Sequence, residues 1–384
     1  MIRYLTAGES HGPSLTVIME GLPAGIKLEE KLMQQEMARR QQGVGRGGRM
    51  AIETDTVRVT SGVRFGETIG SPVTLVVENR DHANWLDRMA PFGESAGEAV
   101  TAVRPGHADL TGVLKYDRQD ARDILERASA RETAARVAAG GVCKQLLSAL
   151  GIQVRSHVVN LGGVESSLQG MTAFQAWRQP DPQTACLDEA ASLAMKKRVE
   201  EAQSAGDTLG GVIEVFAAGL WPGLGTYAQG DRRLDARLAA AMVSVPAIKG
   251  VEFGEGFQYA NLPGSKAHDE IFHADGKGFF RRTNHAGGLE GGMTNGEVLW
   301  LRLVMKPIPT LMQPLATVDV QTKAAVDACK ERSDVCAVPA AAVVAEAMLA
   351  ITLAQVISEQ FGGDSFQDLK QNITAYKQRL EQRA

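Results

Sequence analysis

Residues 338–357 read VPAAAVVAEAMLAITLAQVI, and a run with so few polar interruptions has to be taken out of water somewhere. Its length would let it cross a bilayer. Three features favour the interior of a globular protein instead. Glu346 sits near its middle and Gln355 near its end, its many alanines suit close packing and drive membrane insertion poorly, and no second such run occurs. Pro339 is placed for the first turn of a helix, and Gly362-Gly363 for its end. The reading is a buried core helix and no membrane partner. A chain of 384 residues built round such a helix buries roughly three quarters of its unfolded surface and needs no staple. Cys143, Cys186, Cys329 and Cys336 are scattered without a CxxC pair, so they read as reduced thiols of a cytoplasmic protein. The opening MIRYLTAGES has no apolar stretch of the kind a signal peptide needs.

Around this helix the pattern is mixed. Residues 1–7 and 14–20 read as strands joined through the turn GESHG, and 28–42 as a helix ending at Gly43. Short alternating runs at 51–54, 57–61 and 73–77 predict antiparallel strands. A long helical stretch spans 118–150, with a break expected at Gly140-Gly141. Strands are expected at 152–160, 212–218 and 298–304, and helices at 188–205 and 233–244. Strands and helices do not alternate regularly, which favours an α+β fold with antiparallel sheet over a doubly wound parallel one. No linker divides the chain. Residues 1–384 are read as one domain, with 165–190 and 364–384 peripheral.

Lys and Arg number 41 against 45 Asp and Glu, a net charge of −4, which argues against a dedicated nucleic-acid binder. Glycine is in excess, with 41 residues, and it collects around polar side chains. GESHG places His11 on a tight turn, where an imidazole can enter a cleft and transfer protons near neutrality. Arg39-Arg40 and the run GVGRGGR put four arginines on a glycine-rich backbone without aromatics. That suits bidentate grip on phosphate and carboxylate better than stacking against single-stranded nucleic acid. RPGHAD supplies a second histidine, His107. In RASARET, Arg127 and Arg131 lie one helical turn apart and repel, which favours an anion between them at a helix start. HAGGLEGGMTNG, KPIPT and Arg332-Ser333-Asp334 complete the set. His268 and His273, five apart, share no helical or strand face, so no metal site is expected. These features describe a lyase or transferase acting on a phosphorylated, carboxylated small molecule. A flavin-dependent NADPH reductase and a basic-loop RNA binder are the alternatives.

In this order, GESHG, RRQQGVGRGGRM, SGVRFGETIGSPV, RPGHADLTG, RASARETAARVAAG, AIKGVEFGEGF, HAGGLEGGMTNGE, KPIPT and RSDVCAVPA resemble the chorismate synthase family over about residues 3–360. The resemblance implies a pseudo-symmetric β-α-β sandwich, a homotetramer and the last step of the shikimate pathway. That step is trans-1,4 elimination of phosphate and a ring hydrogen from 5-enolpyruvylshikimate 3-phosphate, and it requires reduced FMN without net redox change. By position, His11 resembles the acid that protonates the departing phosphate, His107 the group that protonates reduced flavin, and Asp334 the base for the ring proton. Ser10, Arg40, Arg46, Arg49, Arg131 and Arg332 match substrate contacts, and Arg40 and Arg46 also match positions assigned to NADPH. Flavin contacts are implied at Arg127, Ala128, Ser129, Pro246, Ala247, Gly291, Lys306, Pro307, Ile308, Pro309, Thr310 and Arg332. Two positions depart from the family pattern: Pro246 replaces a commonly polar residue, and Pro309 a small hydroxyl residue.

Overall fold

The computed structural model describes the chain except residues 48–53, 95–96, 170, 173, 331–332 and 384. Arg49, Arg332 and the strand expected at 51–54, save its last residue, lie outside the described residues. One antiparallel sheet contains β1 (Arg3–Ala7), β2 (Ser14–Glu20), β3 (Val57–Ser61) and β4 (Val73–Glu78), in the order β1-β2-β4-β3. A second contains β5 (Gln153–Leu161), β6 (Gly211–Ala218), β7 (Ile248–Phe253) and β8 (Leu299–Met305), in the order β7-β8-β6-β5, with Val164–Glu165 added outside β5. The main helices are α1 (Glu30–Gln41), α2 (Asp109–Tyr116), α3 (Arg122–Ala128), α4 (Thr133–Ala149), α5 (Glu189–Ser204), α6 (Leu234–Val243), α7 (Val338–Phe361) and α8 (Phe366–Glu381).

The two halves repeat one plan: two strands, a helix, two strands and a long helix, with the first and third strands outermost. The alternation seen in the sequence explains why. Leu15, Val17 and Met19 on β2, and Leu299, Leu301 and Leu303 on β8, turn to one face and are buried. Helices α1 and α4 cover the first sheet, α6 and α7 cover the second, and α4 crosses α7 between them. This is an α+β sandwich with helices inside, and its central helix is the apolar run of the sequence. Although α7 is long and apolar enough to span a bilayer, 94% of its most apolar window is buried in the protein.

Its buried acidic residue is accounted for. Glu346 is buried and accepts two hydrogen bonds from Arg39 of α1, at 2.8 and 2.7 Å, one from Lys144 of α4 at 2.6 Å and one from Ser156 of β5 at 2.7 Å. Four elements meet at that carboxylate.

The helical stretch at 118–150 differs from expectation. Arg118, at the turn after α2, is not helical; α3 ends at Ala128, a 3-10 turn covers Ala130–Glu132, and α4 then runs unbroken through Gly140-Gly141. Ser129 in extended conformation makes the break, its side chain accepting from the Arg131 amide. Gly140 serves packing instead. A Cβ there would lie 2.3 Å from the Ala347 Cβ, so the glycine lets α4 and α7 cross closely. From the peripheral segment, Phe174 and Trp177 meet Phe216 of β6 edge-on at the outer face of the second sheet.

Candidate active site

The β1–β2 turn carries His11. Burial of Glu126 on α3 opposes its ionisation, but hydrogen bonds from the His11 ring and amide and from Arg122 outweigh this and hold the carboxyl below its usual range. The His11 Nδ1 lies 2.8 Å from Glu126 Oε1, and its backbone N–H donates to Oε2 at 2.8 Å. Trp85 stacks on the imidazole with centroids 3.9 Å apart. Neighbouring Ser10 is buried, and its hydroxyl accepts from Ser129 Oγ at 3.2 Å.

From this turn a hydrogen-bonded chain runs to Asp334. Asn79 donates to the Glu9 and Gly12 carbonyls and accepts from Arg131 Nε at 2.9 Å. Arg131 then donates to Asp55 at 2.5 Å, and Asp55 also accepts from Arg40 at 3.1 Å. Complete burial lowers the Arg40 pKa to about 10, which still leaves it charged at neutral pH. Arg46 reaches the Arg40 carbonyl at 3.5 Å and Asp334 at 2.6 Å, and the Gly47 amide donates to the same carboxylate at 2.6 Å. The described part of the glycine loop, 43–47, lies against this segment, with the Val335 amide bonded to the Gly45 carbonyl.

His107 precedes α2 and faces a second buried carboxylate. Its Nδ1 lies 2.5 Å from Asp109 Oδ1, and Arg104 donates to Asp109 through Nε at 2.8 Å. Although burial opposes ionisation of Asp109, the His107 and Arg104 hydrogen bonds hold its pKa far below the usual carboxylate range. Arg104 also donates to Thr310 Oγ1 at 3.1 Å, and Lys306 Nζ to the Gly106 carbonyl, so KPIPT folds against the His107 turn. The Lys306 amide donates to Ala247 at 3.0 Å, and Ala247 holds a left-handed φ of 69° that a non-glycine residue rarely adopts. Three residues earlier, Ser244 accepts from Arg136, which pairs with Glu132; Arg127 approaches the same carboxylate and binds the Thr6 and Gly8 carbonyls. His11, His107, Asp334, Ser10, Arg40, Arg46, Arg127, Ser129, Arg131, Ala247, Lys306 and Thr310 are thus joined by contiguous contacts, with Ala128, Pro246 and Pro307–Pro309 in the segments between.

Gly291 lies elsewhere. It sits in the turn of the 289–294 hairpin, where the Leu234 amide at the start of α6 bonds to Gly292, whereas Ser244 closes the other end of that helix. A helix of that length separates the two by about 15 Å. The repelling pair expected of Arg127 and Arg131 also resolves differently. The chain breaks at Ser129, Arg127 turns to β1 and Arg131 turns inward to Asp55, so each cation has its own acceptors. Arg39, adjacent to Arg40, is committed to Glu346 in the core. Sequence reasoning missed Glu126, Trp85, Asn79 and Asp55. Only Glu126 carried a signal, as the i+4 partner of Arg122. No group of three or more His, Cys, Asp or Glu among the described residues is arranged to hold a metal.

A family profile described as chorismate synthase matches residues 2–357. The chain belongs to the chorismate synthase family. Chorismate synthase of Syntrophotalea carbinolica is 57% identical over 379 residues, covering 98% of this chain and 97% of that protein. That of Moorella thermoacetica is 56% identical over 383 residues, covering both chains fully. A crystal structure of chorismate synthase superposes with a TM-score of 0.77 at 40% identity, covering 98% of this chain and 97% of the other. As a chorismate synthase the chain is a carbon-oxygen lyase of the shikimate pathway, acting on a small-molecule substrate.

Proposed function

We propose that the rim built from the GESHG turn, the arginine loop and the His107–KPIPT contact carries the family's reaction. That reaction is trans-1,4 elimination from 5-enolpyruvylshikimate 3-phosphate to chorismate. The observation supporting this site is that residues 11 and 334, far apart in the chain, are linked by the hydrogen bonds through Asn79, Arg131, Asp55, Arg40 and Arg46, while the His107 turn is tied through Lys306 to Ala247, three residues along the chain from the Ser244 that Arg136 holds. Arg40, Arg46, Arg131 and Ser10 face the substrate's phosphate and carboxylates, with Arg49 and Arg332 in the same roles. The phosphate departs with the C–O electron pair, and His11 donates the proton that makes it a better leaving group. The ring proton leaves towards Asp334, whose carboxylate the Arg46 guanidinium and Gly47 amide orient.

The residues present fit reduced FMN. Half-buried Pro246, Ala247, Ile308 and Pro309 offer an apolar strip, and Arg127, Ser129 and Lys306 flank it with donors suited to a phosphate. Gly106 faces Pro309 and the Lys306 ammonium, and its positive φ of 78° is one that glycine adopts without strain. Held by these residues, reduced FMN would offer electron density to the allylic system without net redox change. His107, held by Asp109, supplies a proton at the flavin. Thr310 and Gly291 complete the proposed contacts, Gly291 from a more distant surface. The family's homotetrameric assembly and cytoplasmic location belong to the same reading.

The test is anaerobic turnover of 5-enolpyruvylshikimate 3-phosphate with FMN either oxidised or chemically reduced. Chorismate and phosphate released only with reduced FMN are the expected result, and product with neither form sinks the reading. Replacing the chemical reductant by NADPH asks whether the protein reduces its own flavin. His11→Ala, His107→Ala and Asp334→Asn should each lower turnover by about 100-fold or more while FMN binding persists. A variant with a normal rate removes that residue from the mechanism.

A further inference from the structure

We infer that Glu126 is the positioning residue of the reaction, holding His11 in the tautomer and orientation that proton donation requires. This role rests on His11 being the acid of the proposed elimination. The geometry is specific. Glu126 presents one oxygen to the His11 ring nitrogen Nδ1 and the other to the His11 backbone N–H, each at 2.8 Å, so ring and main chain of one residue are clamped by a single carboxylate. Its backbone carbonyl takes the Ser10 amide at 2.9 Å, which fixes α3 to the turn from both ends of the same residue. Arg122, one helical turn earlier, donates to Oε1 at 3.0 Å and keeps the carboxylate charged and aimed. Trp85 covers the imidazole, and His82 Nδ1 lies 2.8 Å from the His11 carbonyl, so the backbone is held on that side too. The side chains of His11 and Glu126 are only 12% and 3% exposed, so water competes weakly for the contact.

A carboxylate can only accept, so the neutral ring carries its hydrogen on Nδ1 and its lone pair on Nε2. Protonation then places the transferable proton on Nε2, and the buried negative charge stabilises the resulting imidazolium. His107 also meets an arginine-paired carboxylate at Nδ1, but there Arg104 Nη2 lies 3.0 Å from the same nitrogen, so the clamp that Glu126 makes on His11 is not repeated.

Glu126→Gln makes a sharp test, because the amide offers one oxygen where two are required. The His11 backbone N–H, its ring N–H and the Arg122 guanidinium then compete for that one oxygen, so the amide cannot keep all three contacts whichever way it turns, and the negative charge facing the ring is lost. We expect kcat to fall about 10- to 100-fold, with KM for the substrate and Kd for reduced FMN within about twofold. The descending alkaline limb of the kcat profile should move to lower pH. The charged and titratable groups facing His11 are Glu126 and Arg122 from α3, His82 from the 80–84 turn and Glu9 from its own loop. Nitrogen-15 histidine NMR of the wild type should show His11 protonated at Nδ1 when neutral, a reading that needs no variant. The double variant His11→Asn/Glu126→Gln should be no slower than His11→Asn alone.

A wild-type ring protonated at Nε2, or losses that multiply in the double variant, would overturn the assignment. A slow His11→Asn beside a normal Glu126→Gln overturns the role of Glu126 and leaves the reaction assignment standing. A normal rate in His11→Asn overturns the acid role of His11 and this inference with it.

Discussion

Asp109 shows how folding sets the strength of a single acid in this protein. Its carboxyl is fully buried, yet the His107 and Arg104 hydrogen bonds depress its pKa from the ordinary 3.8. A depressed acid contributes stability that is present above its unfolded pKa and lost as pH falls towards its folded one. Thermal melts of Asp109→Asn should therefore lie furthest below the wild type near neutrality, and the gap should close as pH falls below about 4. A gap independent of pH would mean that the carboxylate's charge is irrelevant there. His107 could be singled out from RPGHAD because glycine precedes it, but its anchorage is a tertiary fact only in part, since Asp109 lies two residues on. Glu126 is the opposite case. It lies 115 residues from His11, and no local pattern connects a carboxylate at the end of α3 to a turn between β1 and β2.

Among the elements, the crossing of α4 on α7 discriminates between two adjacent glycines. At Gly140 a Cβ would lie 2.3 Å from the Ala347 Cβ and 2.6 Å from its Cα, whereas at Gly141 the nearest atoms are 3.8 Å away, on Met33. Gly140→Ala should destabilise by about 1–3 kcal/mol through overpacking. Gly141→Ala should be neutral or stabilising by up to about 1 kcal/mol through helix propensity. Urea unfolding of the two variants decides it, and equal effects would remove close packing as the explanation. The sequence located this glycine pair and suggested a break, because composition alone cannot tell a glycine that ends a helix from one that admits a neighbour. Glu346 gives a second prediction for the same layer. Glu346→Gln leaves Arg39 and Lys144 without their shared charge partner and should cost about 2–3 kcal/mol, below the fully buried range because Arg39 is one-third exposed. Unchanged stability would show that the four-way tie is dispensable.

For the whole molecule, charge is unevenly spread. The chain is net negative, but on the candidate rim Arg40, Arg46, Arg104, Arg122, Arg127, Arg131, Arg136 and Lys306 outnumber Asp55, Asp109, Glu126, Glu132 and Asp334. A multiply anionic substrate should be drawn to that rim, so kcat/KM should fall several-fold between about 0.02 and about 0.5 M salt. A flat salt profile would exclude steering. By itself the sequence determined the core helix at 338–357, the antiparallel α+β character, the glycine-bounded clusters and, through their order, the family. Each of these is written in local periodicity or in contiguous motifs. Only the tertiary structure decided which arginine serves which carboxylate: Arg39 goes to the core and Arg40 to the rim, though they are neighbours on α1. It also decided that Trp85 caps His11 and that Gly291 stands apart from the other proposed contacts. The physical reason is separation along the chain. Arg39 and Glu346 lie 307 residues apart, and what brings them together is two sheets burying their apolar faces on opposite sides of the helix layer in which α4 crosses α7.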